Sequence, residues 1–182
     1  MKYSICYPMK DKKVKIVLDT DVVLHFLKGG RLSLLLEIFA TECEYVMLNT
    51  TYDEIRNKDQ RTQIDNHILW LKNLTKVDFK PIGEMRRVYA MLTSQFGKGE
   101  SACMAYCQFE HHVIGSNNTR DIRDYCESNG IAYLTTADFL YYAIKRGLMT
   151  QAQADQLIAD ARAQGSNVPD FDYNKHIPTT QM

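Results

Sequence analysis

Two carboxylates, Asp19 and Asp21, interrupt the stretch KIVLDTDVVLHF at residues 15–26. An apolar run over 16–18 stops at Asp19, and Val22, Val23 and Leu24 resume it after Asp21. An acid in such a place is either a helix cap or part of a site for a cation. Asp21 reads most simply as a cap. Asp19 is harder to dismiss, because an acid fused to a buried run costs free energy unless a partner or a metal answers its charge. Further acids fall at comparable junctions. Glu54 lies in TTYDEIRN, after the apolar EYVML; Glu100 follows GKG and opens a helix; Asp121 follows GSNNTR. Each has a plainer alternative. Glu100 gains from the helix dipole in any protein, and Glu54, beside Asp53, is equally a solvated surface acid.

The elements that must position these acids alternate in type. Short apolar strands are expected at 15–18, 44–48, within 75–82, at 112–115 and at 131–134. Helices are expected at 21–28, 32–40, 50–57, 62–74, 84–96, 101–110, 121–128, 137–146 and 151–163. Strands alternating with helices make βαβ units, hence an α/β fold: a three-layer α/β/α sandwich around a mostly parallel sheet. Sites in such sheets form outside the carboxyl ends of the strands. Acids at successive strand-to-helix junctions therefore belong at one rim. Residues 165–182 are rich in turn formers and read as an extended or loosely ordered tail.

Composition limits the function classes. The 182 residues suit one domain with a small appendage, and 45% apolar with 24% charged residues suits a packed core. With 22 basic and 22 acidic residues the formal net charge is zero. A nucleic-acid partner must then use a local basic patch or a metal bridge to phosphate. Lys98, Arg120, Arg123, Lys145, Arg146, Arg56 and Lys58 are the available cations, each equally an ordinary solvated side chain. The five scattered cysteines read as reduced thiols in a cytoplasmic protein. Cys103 and Cys107, four apart on one helical face, read as small core residues rather than ligands. His111 and His112, adjacent on a strand, face opposite ways and cannot chelate one ion. Trp70 and the eleven tyrosines read as packing. The opening MKYSICYPMKDKK holds no signal-type apolar region, and no run approaches the ~20 residues of a membrane span.

Four segments in order carry a resemblance: VLDTDVVL at 17–24, TTYDEI at 50–55, GKGESACMAY at 97–106 and VIGSNNTRDIRDY at 113–125. Over residues 14–150 the chain resembles PIN domains, and is similar to bacterial VapC-type toxins. The later GLMTQAQADQLIADARAQG resembles a helical extension of some bacterial members, so 1–150 is expected to be the PIN-like unit. Residues 151–182 are then a helix and tail rather than an independent domain. The resemblance implies an endoribonuclease dependent on Mg2+ or Mn2+. Asp19, Glu54 and Glu100 match the first three family acids, and Asn118 stands where a fourth Asp is expected. Asp121, one helical turn on, and Asp21 are the possible substitutes. The implied catalytic residues are Asp19, Glu54, Glu100 and Asp121, and the implied metal ligands Asp19, Glu100, Asn118 and Asp121. Thr20, Ser116, Arg120 and Arg123 are the implied substrate contacts. The implied partners are RNA, a small antitoxin and a second copy of the chain. The Asn118 substitution motivates an alternative, a degenerate module that binds RNA or protein. A second alternative is a haloacid-dehalogenase-like phosphotransferase, with Asp19 as nucleophile and Asp21 as acid; GSNN lacks the later acids that such an enzyme needs.

Overall fold

The computed structural model describes residues 3–4 and 13–182, without the side chains of 3, 4 and 119–121. The expectations for the opening segment and Cys6 therefore lie outside the described residues, as do those for the side chains of Arg120 and Asp121. Strand β1 (Tyr3–Ser4) stands apart. Strands β2 (Val14–Leu18), β3 (Cys43–Leu48), β4 (Thr75–Val77), β5 (Val113–Gly115) and β6 (Tyr133–Leu134) form one sheet in the order β4-β3-β2-β5-β6. Every neighbouring pair in it is parallel. The chain runs outward from β2 to β4, then returns to β2's other side with β5. The order of strands thus reverses between β2 and β5, the place where open parallel sheets form a crevice.

Period-two alternation divides the side chains between two cores. Ile16, Leu18, Tyr45, Met47, Val113 and Leu134 face one side, where they meet helices α1 (Thr20–Lys28), α2 (Leu32–Leu35), α8 (Thr136–Lys145) and α9 (Gln151–Ala163). Val17, Val46, Leu48, Ile114 and Tyr133 face the other, beneath α5 (Gly83–Leu92), α6 (Lys98–Glu110) and α7 (Thr119–Asn129). The fold is the expected three-layer α/β sandwich with a parallel sheet. Ala154, Leu157, Ile158 and Ala161 of α9 share the first core, so the C-terminal helix is packed against the sheet's helices.

Several elements differ from the sequence expectation. The helix expected at 32–40 keeps only α2 as α-helix and then tightens: Glu37 N–H bonds to the Leu34 carbonyl and Ala40 N–H to that of Glu37. The helix expected at 50–57 is shorter, α3 (Asn49–Tyr52). The one expected at 62–74 begins earlier, as α4 (Lys58–Asp65), and passes into a π-helical turn (Asn66–Trp70), where Leu71 N–H reaches the Asn66 carbonyl. That extra residue turns Leu69, Trp70 and Leu71 out to solvent, with Trp70 79% exposed. Trp70 is thus a surface residue and not packing. His112 is buried with its Nδ1 facing the Lys15 amide, while His111 closes α6 in the left-handed conformation.

The tail is not loose. Val168 and Phe171 are buried in the first core, and β7 (Thr180–Gln181) pairs in parallel with β1. Its anchor is Asp138, wholly buried in the capping box of α8. Asp138 accepts from the Thr135 amide at 2.7 Å, the Thr179 amide at 3.0 Å and the Thr179 hydroxyl at 2.6 Å. His176 Nε2 stands 2.8 Å from its other oxygen. Burial alone would raise this carboxyl, but bonds from His176 and Thr179 hold it below the usual carboxylate range.

At the same N-terminal end of α8, His25 is buried with Nδ1 2.8 Å from Thr136 Oγ1. Burial, with Lys28 nearby, brings its pKa down to about 4. The folded value lies below that of the unfolded chain, so its stabilising effect is complete above about pH 6.5 and is lost as pH falls toward 4. On the order of 3 kcal/mol is expected to disappear over that window. Urea midpoints at pH 7.5 and 4.5 for the wild type and His25→Asn should show it: the variant loses less stability. Identical losses would refute the assignment to His25.

Candidate functional site

The acids gather at the β2/β5 reversal. Asp19 follows β2 directly, its amide bonded to the Gly115 carbonyl at 2.8 Å as if the ladder continued. Its side chain is 8% exposed and is the N-cap of α1, accepting from the Thr20 amide at 2.8 Å. The buried Ser116 hydroxyl, just past β5, donates to its other oxygen at 3.1 Å. Burial foremost, then the charge of Asp21, with a smaller contribution from Glu100, drive the Asp19 carboxyl well above the usual range.

Asp21 is more than a cap. It accepts from its neighbour's amide, Val22, at 2.6 Å, and also from the Asn117 amide across the crevice at 3.1 and 3.2 Å. Burial raises its pKa, and the charge of Glu54 adds to that. The end of β5 is therefore tied to both acids that follow β2: Ser116 to Asp19 and Asn117 to Asp21. From the sequence Asp21 reads first as a cap and second as a substitute for the missing fourth acid. Its two-residue spacing from Asp19 was the available signal, since it places both acids in the opening turn of one helix.

Glu54, just beyond α3, is exposed but fixed. Thr20 donates its hydroxyl to one oxygen at 2.7 Å, and the Gly99 amide donates to the other at 3.2 Å. Gly99 lies in the first turn of α6, beside the half-buried Glu100. A Cβ at residue 99 would stand 2.5 Å from Glu54 Oε1 and 3.0 Å from Thr51 Cγ2. Glycine is there because the acid must come up against the helix start. The GKGE sequence thus supplies both an acid and the gap that seats another. Cys103, one turn below, is fully buried and its thiol is pushed up by burial and by Asp19.

The other expected residues are distributed as follows. Thr20 positions Glu54, and Ser116 holds Asp19. Asn118 is the N-cap of α7, its amide accepted by the Ser116 hydroxyl at 3.3 Å. Arg123 lies on α7 beside Tyr133. Asp19 feels the charges of Asp21 and Glu100, and Asp21 that of Glu54. Yet among the described residues no three His, Cys, Asp or Glu side chains are grouped closely enough to hold a metal ion.

A parallel sheet with its acids at the strand-order reversal defines a PIN-like α/β fold. Solved structures agree. The chain matches VapBC2 from Rickettsia felis, bound to a DNA fragment from its promoter, with a TM-score of 0.50 and 14% identity over 66% of this chain and 98% of that one. It matches VapBC-1 from nontypeable Haemophilus influenzae with a TM-score of 0.50 and 12% identity, over 67% and 98% of the chains. At such identities the likeness is one of fold. No family model and no curated protein matches the sequence. Among the described residues no helix is long and apolar enough to cross a membrane.

Proposed function

We propose that the chain is a divalent-metal-dependent endoribonuclease, and a toxin restrained by a small antitoxin partner. One observation carries this: a buried acid, Asp19, sits at the sheet's reversal point within the fields of Asp21 and Glu100. Carboxylates brought together without a cation repel one another, and a site built that way favours divalent metal. The donor chemistry fits Mg2+ or Mn2+, because Asp19, Asp21, Glu100 and the Asn118 amide offer only hard oxygen. A bound ion there would acidify a water and neutralise the scissile phosphate. The chain's own residues do the rest. The Thr20 amide and Ser116 keep Asp19 oriented. Glu54, clamped but open to solvent, takes up the proton of the attacking water. The likeness to structures of VapBC complexes supports an antitoxin partner and favours the nuclease over the phosphotransferase.

The test is cleavage of single-stranded RNA with and without Mn2+. Wild type should cleave, chelation should stop it, and Glu100→Gln should slow it by about a hundredfold or more. Cleavage indifferent to both would sink the nuclease. Gly99→Ala should slow the reaction by about a hundredfold by displacing Glu54, with a melting temperature only a few degrees lower. An unchanged rate would remove Glu54 from the chemistry.

The degenerate-module reading retains one observation in its favour: Asn118 brings no charge, and no described trio of acids stands ready to ligate. Asn118→Asp separates the two. If Asn118 faces the ion, calorimetry should show tighter Mn2+ binding in the variant. Wild type that binds no Mn2+ at all would favour the module. Co-purification with the product of an adjacent small reading frame tests the partner, and light scattering tests the homodimer.

A further inference from the structure

A second cavity adjoins the acid rim. It encloses about 470 Å3 and lies where β5 and β6 end, walled on one side by Asn117 and Arg123 and on the other by Asn167, His176, Ile177 and Thr179 of the tail. Its volume is that of a small-ligand site. Its far wall is held rigidly. His176 is tied to the buried Asp138 and wedged between the rings of Tyr141 and Phe171, at centroid distances of 5.9 and 5.6 Å. Thr179 is fixed by Asp138 and by the Tyr133 carbonyl. Arg123, exposed on α7 beside Tyr133, supplies a cation. Ile177, 74% exposed, adds an apolar face. The near wall is continuous with the acids, since the Asn117 amide is the donor to Asp21.

We propose that this cavity receives an unpaired nucleotide of the RNA, the one flanking the scissile phosphate. This rests on the nuclease assignment above and deepens it. The chemistry of the walls is that of single-strand recognition. Amides from Asn117 and Asn167 suit base edges, the ring and isoleucine suit a base face, and a guanidinium suits the backbone phosphate. Because Asn117 belongs to both cavity and acid rim, a base seated here places its neighbouring phosphate toward Asp19 and Asp21. The tail is then a wall of the substrate channel, and base preference is written in it rather than in the acids.

The test is fluorescence anisotropy with a labelled single-stranded RNA hexamer in chelator, so that nothing is cut. Arg123→Gln, Asn167→Ala and Ile177→Asp are compared with wild type and with Lys13→Ala, an exposed residue just ahead of β2 at the opposite edge of the sheet, as a control away from the cavity. Each cavity variant should weaken binding by about tenfold, the effect of one lost nucleotide contact, and the control should not. Cleavage products with Mn2+ should shift in base preference for Asn167→Ala. Wild type that cleaves, with cavity variants that bind and cut as it does, overturns the cavity and leaves the nuclease standing. Cavity-dependent binding without any cleavage upholds the cavity and overturns the nuclease. RNA that does not bind wild type at all overturns the cavity.

Discussion

Asp19→Asn is expected to abolish metal-dependent RNA cleavage, to erase the stabilisation that Mn2+ gives, and to raise the melting temperature of the metal-free protein. The three effects have one origin. Asp19 is buried beside Asp21 and Glu100, and among the described residues the Thr20 amide and the Ser116 hydroxyl donate to it. Without metal the carboxylate is a burden on the fold, so a neutral amide of the same shape relieves it. With metal the same charge becomes the strongest attraction in the site. Metal that binds the native state stabilises wild type by about 2.7 kcal/mol at a hundredfold excess over its dissociation constant. For a chain of this size that corresponds to several degrees. Melting curves with and without Mn2+, for both proteins, are sufficient. An Asp19→Asn variant that keeps the metal shift would show that the ion binds elsewhere. One that melts lower than wild type without metal would show that Asp19 is a structural cap and little else.

Asp138→Ala is expected to be the most damaging single substitution outside the core. It removes the acceptor of bonds from Thr135, Thr179 and His176 at once. Their polar groups are left without it at a fully buried position. Breaking such a network typically costs 3–5 kcal/mol, or roughly 10 °C or more in melting temperature. The tail should detach before the sheet unfolds. Limited proteolysis should therefore cut within 165–182 in the variant and spare the wild type. Equal resistance to protease in the two proteins would mean that Phe171 and Val168 hold the tail unaided.

The sheet was legible because buried parallel strands are written as short apolar runs, and each of 15–18, 44–48, 112–115 and 131–134 falls on a strand. Junction acids were legible for the same reason: Asp19 has nowhere to go but the end of β2. What local pattern could not reveal was set by distant contacts. The role of Asp21 depends on an amide 96 residues away. The tail looks featureless because what anchors it is distant in sequence: Asp138, Tyr133, Tyr142 and Gln151. The π-helical turn at 66–70 was invisible to a 3.6-residue period, and with it the exposure of Trp70.

The ties from Ser116 to Asp19 and from Asn117 to Asp21 also impose a timetable. All four acids lie within the first hundred residues, but the hydroxyl that braces Asp19 comes 97 residues after it. Contacts so remote in sequence form late in folding, because the chain must close a long loop before they stabilise anything. As a ribosome delivers this chain, β2, β3 and β4 emerge first and can pair, while the bracing strand β5 is still unmade. The acid rim therefore cannot take its finished form until Ser116 and Asn117 have been made. Maturation of the site waits for β5, which joins the sheet only after β3 and β4 have been made on the other side of β2.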